Sequence, residues 1–127
     1  MSTMALLNAD VTEAVRELEE VYGDVMLEPD ESGGTYVTIL SIELGPSWSR
    51  RAAPLTFHLP FNYPSASPYP YYLPGDLELG GPWPDALQRI RWRDQDVIQV
   101  SLRHNHWDPQ NDRVLGCVLQ VRDWLQR

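Results

Sequence analysis

The sequence predicts an α+β domain in which an antiparallel β-meander is flanked by an N-terminal and a C-terminal helix. Two observations favour this fold class. Amphipathic helical patterns lie near both ends of the chain, and β-branched or alternating segments follow one another between them. The 127 residues match the usual size of one domain, and no internal repeat divides them. We therefore expect a single domain over residues 1–127, with one face of its sheet covered by the helices.

The first helix is predicted from a capping signal and an apolar stripe. Asp10 and Glu13 have the spacing of a capping box, which satisfies free backbone N–H groups of a first helical turn. The apolar residues that follow at helical spacing are Val11, Val15, Leu18 and Tyr22. Gly23 is then expected to end the helix.

Three strands are predicted after this helix. Residues 25–28 and 35–44 form a hairpin, because the second segment is rich in β-branched residues and 29–34 has turn chemistry. Residues 45–53 form a polar loop. Residues 55–59 alternate with period two and form the third strand, which a proline ends.

The stretch 60–84 is predicted to be an ordered loop. Its seven prolines disfavour helix and central strand through most of its length. Its aromatic residues offer surface that packs the loop against the domain, which a disordered linker lacks. Tyr69, Tyr71 and Trp83, at the edge of this loop, are candidate anchors for a protein partner, since such side chains bury a large area at small entropic cost.

The last third of the sequence is predicted to contain a helical turn, two strands and a closing helix. Residues 85–89 form the turn, and 90–93 and 97–102 the strands. Asp112 caps the closing helix. The residues that share one face of that helix are Val114, Cys117, Val118, Val121, Trp124 and Leu125.

Composition excludes several classes of function. The net charge of −8 repels phosphate backbones, so nucleic acid is not an expected partner. No segment approaches the roughly 18 uninterrupted apolar residues of a membrane span, and the N-terminus lacks the pattern of a secretion signal. We expect a soluble, cytoplasmic protein without a membrane partner.

All ten basic residues are arginine, and the chain contains no lysine. A GC-rich genome explains this bias, because arginine codons displace lysine codons. A protein that works beside lysine-modifying chemistry would also avoid offering amines of its own, since only the lysine side chain becomes a nucleophile on deprotonation. Both explanations remain open at the level of the sequence.

Cys117 is the only cysteine, so the chain has neither an internal disulfide nor a cysteine-cluster metal site. On the apolar stripe of a helix it would be a small buried hydrophobe. Alternatively, Gly116 forms a turn that delivers Cys117 to a helix N-terminus, where the helix dipole stabilises a thiolate. His104 and His106 could bind a metal with Asp108, but two histidines at a strand end more often make ordinary hydrogen bonds, so neither a metal nor another cofactor is expected.

Three segments resemble the ubiquitin-conjugating and RWD superfamily. Residues 55–68, Leu-Thr-Phe-His-Leu-Pro-Phe-Asn-Tyr-Pro-Ser-Ala-Ser-Pro, resemble its strand followed by Tyr-Pro-x-x-x-Pro. Residues 16–23 look like the acidic, tyrosine-terminated first helix of RWD domains. Residues 103–109, which precede Cys117, are similar in order to the His-Pro-Asn motif of ubiquitin-conjugating enzymes, although the middle proline is absent. The whole resembles the prokaryotic ubiquitin-conjugating-like proteins, in particular their family E.

The resemblance implies a catalytic role for three residues. Cys117 would carry a ubiquitin-like modifier as a thioester, Asn105 would support the oxyanion formed when an amine attacks, and His104 would give polar support. An activating enzyme would dock on the first helix, at Glu13, Glu17 and Glu20. The alternative function is a non-catalytic, RWD-like scaffold that uses the same fold only to bind proteins.

Overall fold

The structure, a computed structural model, describes residues 9–127. Two helices and six strands form an α+β domain. This confirms the predicted α+β class with an N-terminal and a C-terminal helix. In chain order, the elements are α1 Ala9–Tyr22, β1 Val25–Pro29, β2 Thr35–Glu43, β3 Ala52–Leu59, β4 Tyr71–Pro74, β5 Leu87–Trp92, β6 Gln95–Val100 and α2 Val114–Leu125.

All six strands belong to one antiparallel sheet, in the order β1-β2-β3-β4-β6-β5. The first four strands form a meander, and the β5–β6 hairpin then joins through β6, so β5 becomes the edge strand. Arg93 and Asp94 connect β5 to β6 with φ of 50° and 62°. Two residues at positive φ are typical of a type I′ turn, whose twist matches that of the flanking strands.

Helix α1 follows the predicted pattern, apart from the cap. Gly23 ends α1 with φ +75°, and its N–H donates to the Glu19 carbonyl oxygen. Asp10 lies inside α1, and the Glu13 carboxylate accepts hydrogen bonds from Arg16. The predicted capping box at Asp10 is therefore wrong, because both carboxylates belong to the body of the helix.

The Pro/Tyr-rich stretch contains a strand that the proline density did not predict. Residues Tyr71–Pro74 form β4, which lies between β3 and β6 in the middle of the sheet. Pro70 precedes the strand and Pro74 is its last residue, so neither removes a donor from the strand interior. The expectation of a loop free of central strand was wrong over these four residues.

Two predictions in the last third are also corrected. The helical turn expected at 85–89 is absent from the described chain, because β5 already begins at Leu87 and pairs with β6. Asp112 does not cap α2. Arg113 is the N-cap residue and makes no side-chain cap bond, while the Asp112 carboxylate accepts the N–H of Asp108 and closes the preceding turn.

The core lies between the helices and one face of the sheet. The inward-facing strand residues are buried and form one hydrophobic cluster with the buried faces of α1 and α2. In β2, β3 and β4 they are Val37, Ile39, Ile42, Ala53, Leu55, Phe57, Leu59, Tyr71 and Leu73. Neighbouring residues such as Tyr72 point to the opposite face, which neither α1 nor α2 covers. Over residues 9–127, neither helix has the length and apolar character needed to cross a membrane.

Candidate active site around Cys117

Cys117 lies in the first turn of α2 and faces the core. Its N–H donates to the Arg113 carbonyl oxygen at 3.2 Å, and only 4% of the residue is exposed. Gly116 lies inside the same helix, so the predicted turn that would present the thiol to solvent does not form. The burial matches the expectation of a small hydrophobe on the apolar stripe of the closing helix.

Two hydrogen bonds beside this thiol lead from the core to the surface. The Nδ1 atom of His104 lies 3.0 Å from Oε1 of Gln120, so Nδ1 donates and Nε2 is left to accept. The Tyr71 hydroxyl then donates to Nε2 at 2.5 Å. Tyr71 has no exposed surface, and its hydroxyl also interacts with the Cys117 thiol. A thiol, a phenol, an imidazole and an amide thus follow one another.

The three residues predicted to be catalytic share one cavity. Cys117, His104 and Asn105 line a cavity of about 170 Å³. Asn105 and Gln120, which also line it, are exposed, so the cavity opens to the surface. The structure therefore brings together the residues that the resemblance selected.

The segment that carries His104 and Asn105 is tied to the Tyr-Pro motif. The indole Nε1 of Trp107 donates to the Pro64 carbonyl oxygen at 2.8 Å. The Trp107 ring also packs against Tyr63, with 6.2 Å between the ring centroids. Tyr63 is buried, so it packs beneath the loop. Two of the three segments that carry the resemblance are thus in direct contact.

The environment of Cys117 favours the protonated thiol. Burial raises the pKa of Cys117 to about 12, and the negative charge of Asp112 adds to this rise, while the contact with the Tyr71 hydroxyl opposes it. Burial also raises the pKa of Tyr71. A nucleophilic Cys117 at neutral pH therefore requires a base that removes the proton during attack. His104, reached through Tyr71, is placed for that role.

Two members of this cluster were not predicted as parts of the site. Gln120 lies one helical turn beyond Cys117 on α2, so their i, i+3 spacing was available as a signal. Tyr71 was predicted from the sequence as a partner anchor. Its contact with His104 depends on the position of β4 in the middle of the sheet. No local pattern in the sequence indicates that placement.

The three acidic residues predicted to bind an activating enzyme lie on α1. Glu13 and Glu20 both pair with Arg16 on the surface of the helix. Glu17 pairs with Arg113, at 3.3 Å between Oε1 and NH1, and so links α1 to the start of α2. Glu13 and Glu20 lie on the outer side of the helix, whereas Glu17, with a side chain 22% exposed, is half-buried where α1 meets α2.

The three aromatic residues predicted as partner anchors differ in their exposure. Tyr71 is fully buried, so as a surface anchor it was misassigned. Tyr69 and Trp83 are partly exposed, and each ring is covered by a guanidinium group. Arg103 lies 4.1 Å from the Tyr69 centroid, and Arg89 lies 4.6 Å from that of Trp83.

His104 and His106 do not form a metal site with Asp108. His104 is engaged by Tyr71 and Gln120, while Asp108 accepts hydrogen bonds within its own turn. Among residues 9–127, no group of three or more His, Cys, Asp or Glu side chains is placed to hold a metal ion.

Comparison of the chain with protein-family models, with curated proteins and with solved structures found no match in any of the three.

Proposed function

We propose that this chain is a ubiquitin-conjugating-like protein that carries a ubiquitin-like modifier as a thioester on Cys117. The observation that carries the proposal is the shared cavity of Cys117, His104 and Asn105. Behind it, the buried Tyr71 hydroxyl bonds the imidazole and interacts with the thiol. An activating enzyme would supply the modifier within a cytoplasmic conjugation pathway, and the acidic face of α1 is the surface proposed for its docking.

In the proposed transfer, residues of the site accept and return the proton that moves. The Cys117 sulfur attacks the carbonyl carbon of the modifier's thioester, while its proton passes to the Tyr71 oxygen and the phenol proton passes to Nε2 of His104. Gln120 holds the Nδ1 proton of the resulting imidazolium. The Asn105 amide donates to the oxyanion. When the intermediate collapses, the donor thiolate leaves and takes the proton back from His104.

The second candidate is a non-catalytic, RWD-like scaffold, and the burial of Cys117 specifically favours it. A thiol that is 4% exposed, with a pKa raised to about 12 by burial, has the properties of a structural cysteine. In this case, the hydrogen bonds of Tyr71 and His104 only satisfy polar groups at the edge of the core.

A transthiolation assay separates the two candidates. Ubiquitin activated as a small-molecule C-terminal thioester is incubated with the protein, and the products are followed by intact mass. The proposal predicts an adduct on Cys117 that reductant removes and that Cys117→Ala abolishes. Tyr71→Phe is expected to slow its formation about 10- to 100-fold, because proton removal is lost. Tyr72→Phe, on the opposite face of the same strand, is the matched control and should react at the wild-type rate.

The scaffold function predicts a different outcome of the same assay. No adduct forms with the native protein, while Cys117 of the denatured chain still exchanges with the thioester.

A further inference from the structure

The uncovered face of the sheet carries a groove that the proposed transfer does not use. The groove lies between the strands and the β5–β6 hairpin and has a volume of about 570 Å³, within the usual range of ligand sites. We call it the hairpin groove. Its polar and aromatic lining includes Thr38, Thr56, Tyr72, Asp76, Trp92 and Asp96.

Aromatic contacts hold the hairpin in place beside the groove. Trp92 stacks on Tyr72, with ring centroids 3.8 Å apart and planes inclined by 10°. Arg93, in the hairpin turn, reaches Tyr36 on β2, with its guanidinium 4.0 Å from the ring centroid, and pairs with Glu28 on β1. The groove is therefore preformed, so a ligand would not have to order it.

The same aromatic surface already holds one guanidinium. Arg93 lies over Tyr36 and also 5.4 Å from the Trp92 centroid, while the Glu28 carboxylate balances its charge. Arginine suits such a place because its planar group stacks on rings and pairs with carboxylates. This contact shows which chemistry the exposed face accepts.

The charged groups that line the groove are carboxylates. Among residues 9–127, the charged side chains in its lining are Asp76 and Asp96. Each pairs with an arginine outside the lining, Asp76 with Arg50 at 2.8 Å and Asp96 with Arg91 at 3.2 Å. The two carboxylates are 77% and 80% exposed. Exposed pairs of this kind are weak, so an incoming cation can replace either arginine.

The floor of the groove adds a polar contact suited to a polypeptide backbone. The Thr38 and Thr56 hydroxyls are 2.9 Å apart and share one hydrogen bond. Because each hydroxyl carries one proton, the second proton can be donated to a carbonyl group of a ligand. An extended segment would thus find a donor on the floor, an aromatic wall and carboxylates at the rim.

We propose that the hairpin groove binds an extended peptide segment that carries arginine. The assignment rests on the acidic lining, the preformed aromatic wall and the seated Arg93. It involves neither Cys117 nor α1, so it stands independently of the thioester proposal.

A defined peptide tests the groove. The probe is fluorescein-labelled Gly-Ala-Arg-Pro-Ala-Arg-Gly, and the matched probe has citrulline, which keeps the shape without the charge, in place of both arginines. Binding is measured by fluorescence polarisation, and amide and indole resonances are followed by NMR. The proposal predicts shifts at Thr38, Thr56 and the Trp92 indole. It also predicts roughly tenfold weaker binding by the citrulline probe and by the double variant Asp76→Asn/Asp96→Asn.

The control variant Asp24→Asn/Asp85→Asn loses the same charge away from the groove and should bind within about twofold of wild type. Equal weakening by both double variants, shifts elsewhere on the surface, or no binding at millimolar peptide would overturn the assignment. Spermidine that binds as tightly as the peptide would point to a small polyamine and would also overturn it. None of these outcomes affects adduct formation on Cys117, so the two proposals fail separately.

Discussion

Asp30 organises the turn between β1 and β2 and reaches the neighbouring strand. One carboxylate oxygen accepts the N–H groups of Ser32 and Gly34 at 2.8 and 3.0 Å. The other lies 2.6 Å from Nε2 of His58 on β3. Burial alone would raise the pKa of Asp30, but the bond from His58 and the two backbone N–H groups outweigh it and lower that pKa below its ordinary value.

Asp30→Asn is expected to lower the free energy of unfolding by about 1–3 kcal/mol at pH 7, because a charged acceptor is lost. In the folded state the pKa of Asp30 lies below the unfolded value of about 3.9. The carboxylate therefore stabilises the fold above about pH 4, and this contribution is lost as the pH falls through the lower folded pKa. Urea denaturation between pH 2 and 7 measures both effects.

The control for this carboxylate is Asp24→Asn, in the exposed turn between α1 and β1. It is expected to change the unfolding free energy by less than about 0.5 kcal/mol. Equal losses for the two variants, or a loss for Asp30→Asn that persists at pH 2, would refute the role assigned to Asp30.

At the scale of residues, the sequence predicts which residues meet at the candidate site better than it predicts the environment of the thiol. The order of His104, Asn105 and Cys117 in the sequence was enough to select three residues that line one cavity. The burial of the thiol depends on how α2 packs, and its link to His104 depends on Tyr71, which is 46 positions away from Cys117 in the printed sequence. Contacts of that sequence separation leave no local pattern.

At the scale of elements, two glycines provide a test of the packing of β4 and α2. A Cβ at Gly75, just after β4, would lie 2.4 Å from the Asp96 carbonyl oxygen and 2.9 Å from the Val97 nitrogen. Both atoms belong to the backbone of β6. A Cβ at Gly116, inside α2, would meet nothing within 4 Å. The first glycine permits a close approach of strands, and the second only weakens a helix.

Gly75→Ala is expected to destabilise the protein by about 1–3 kcal/mol, because β4 and β6 must separate. Gly116→Ala is expected to stabilise it by about 1 kcal/mol through helix propensity. Thermal and urea denaturation measure both. A stabilising Gly75→Ala would contradict the close approach of β4 to β6, and a destabilising Gly116→Ala would contradict the open position inside α2.

The elements that the sequence missed have a common physical cause. The density of prolines is a property of the whole stretch 60–84, whereas β4 needs only the four residues from Tyr71 to Pro74. The helical turn expected at 85–89 is replaced by β5, whose pairing with β6 outweighs a weak local preference. The long periodic segments α1, β2 and α2 were predicted because their apolar residues repeat over many positions. Strand β3 was predicted only over 55–59 and begins at Ala52, inside the loop predicted over 45–53.

At the scale of the whole molecule, the two faces of the sheet are assigned different tasks. The covered face holds the core and the thiol, whereas the uncovered face holds the aromatic hairpin groove. Strand β4 contributes to both, through Tyr71 on one face and Tyr72 on the other. Covalent transfer and peptide binding, as proposed, would therefore use opposite sides of one sheet and need not compete for space.

The thioester proposal requires that the Cys117 thiol can be reached in the folded protein. Alkylation of this thiol by iodoacetamide tests that requirement. Because burial raises its pKa to about 12, compared with about 8.5 for a free thiol, native Cys117 should react about 10³-fold more slowly than in the unfolded chain. An accessible thiol should react slowly in the folded protein, by intact mass at pH 8, at a rate that is unchanged in submolar guanidinium. A thiol that reacts only in proportion to global unfolding would rule out the thioester proposal and leave the scaffold function.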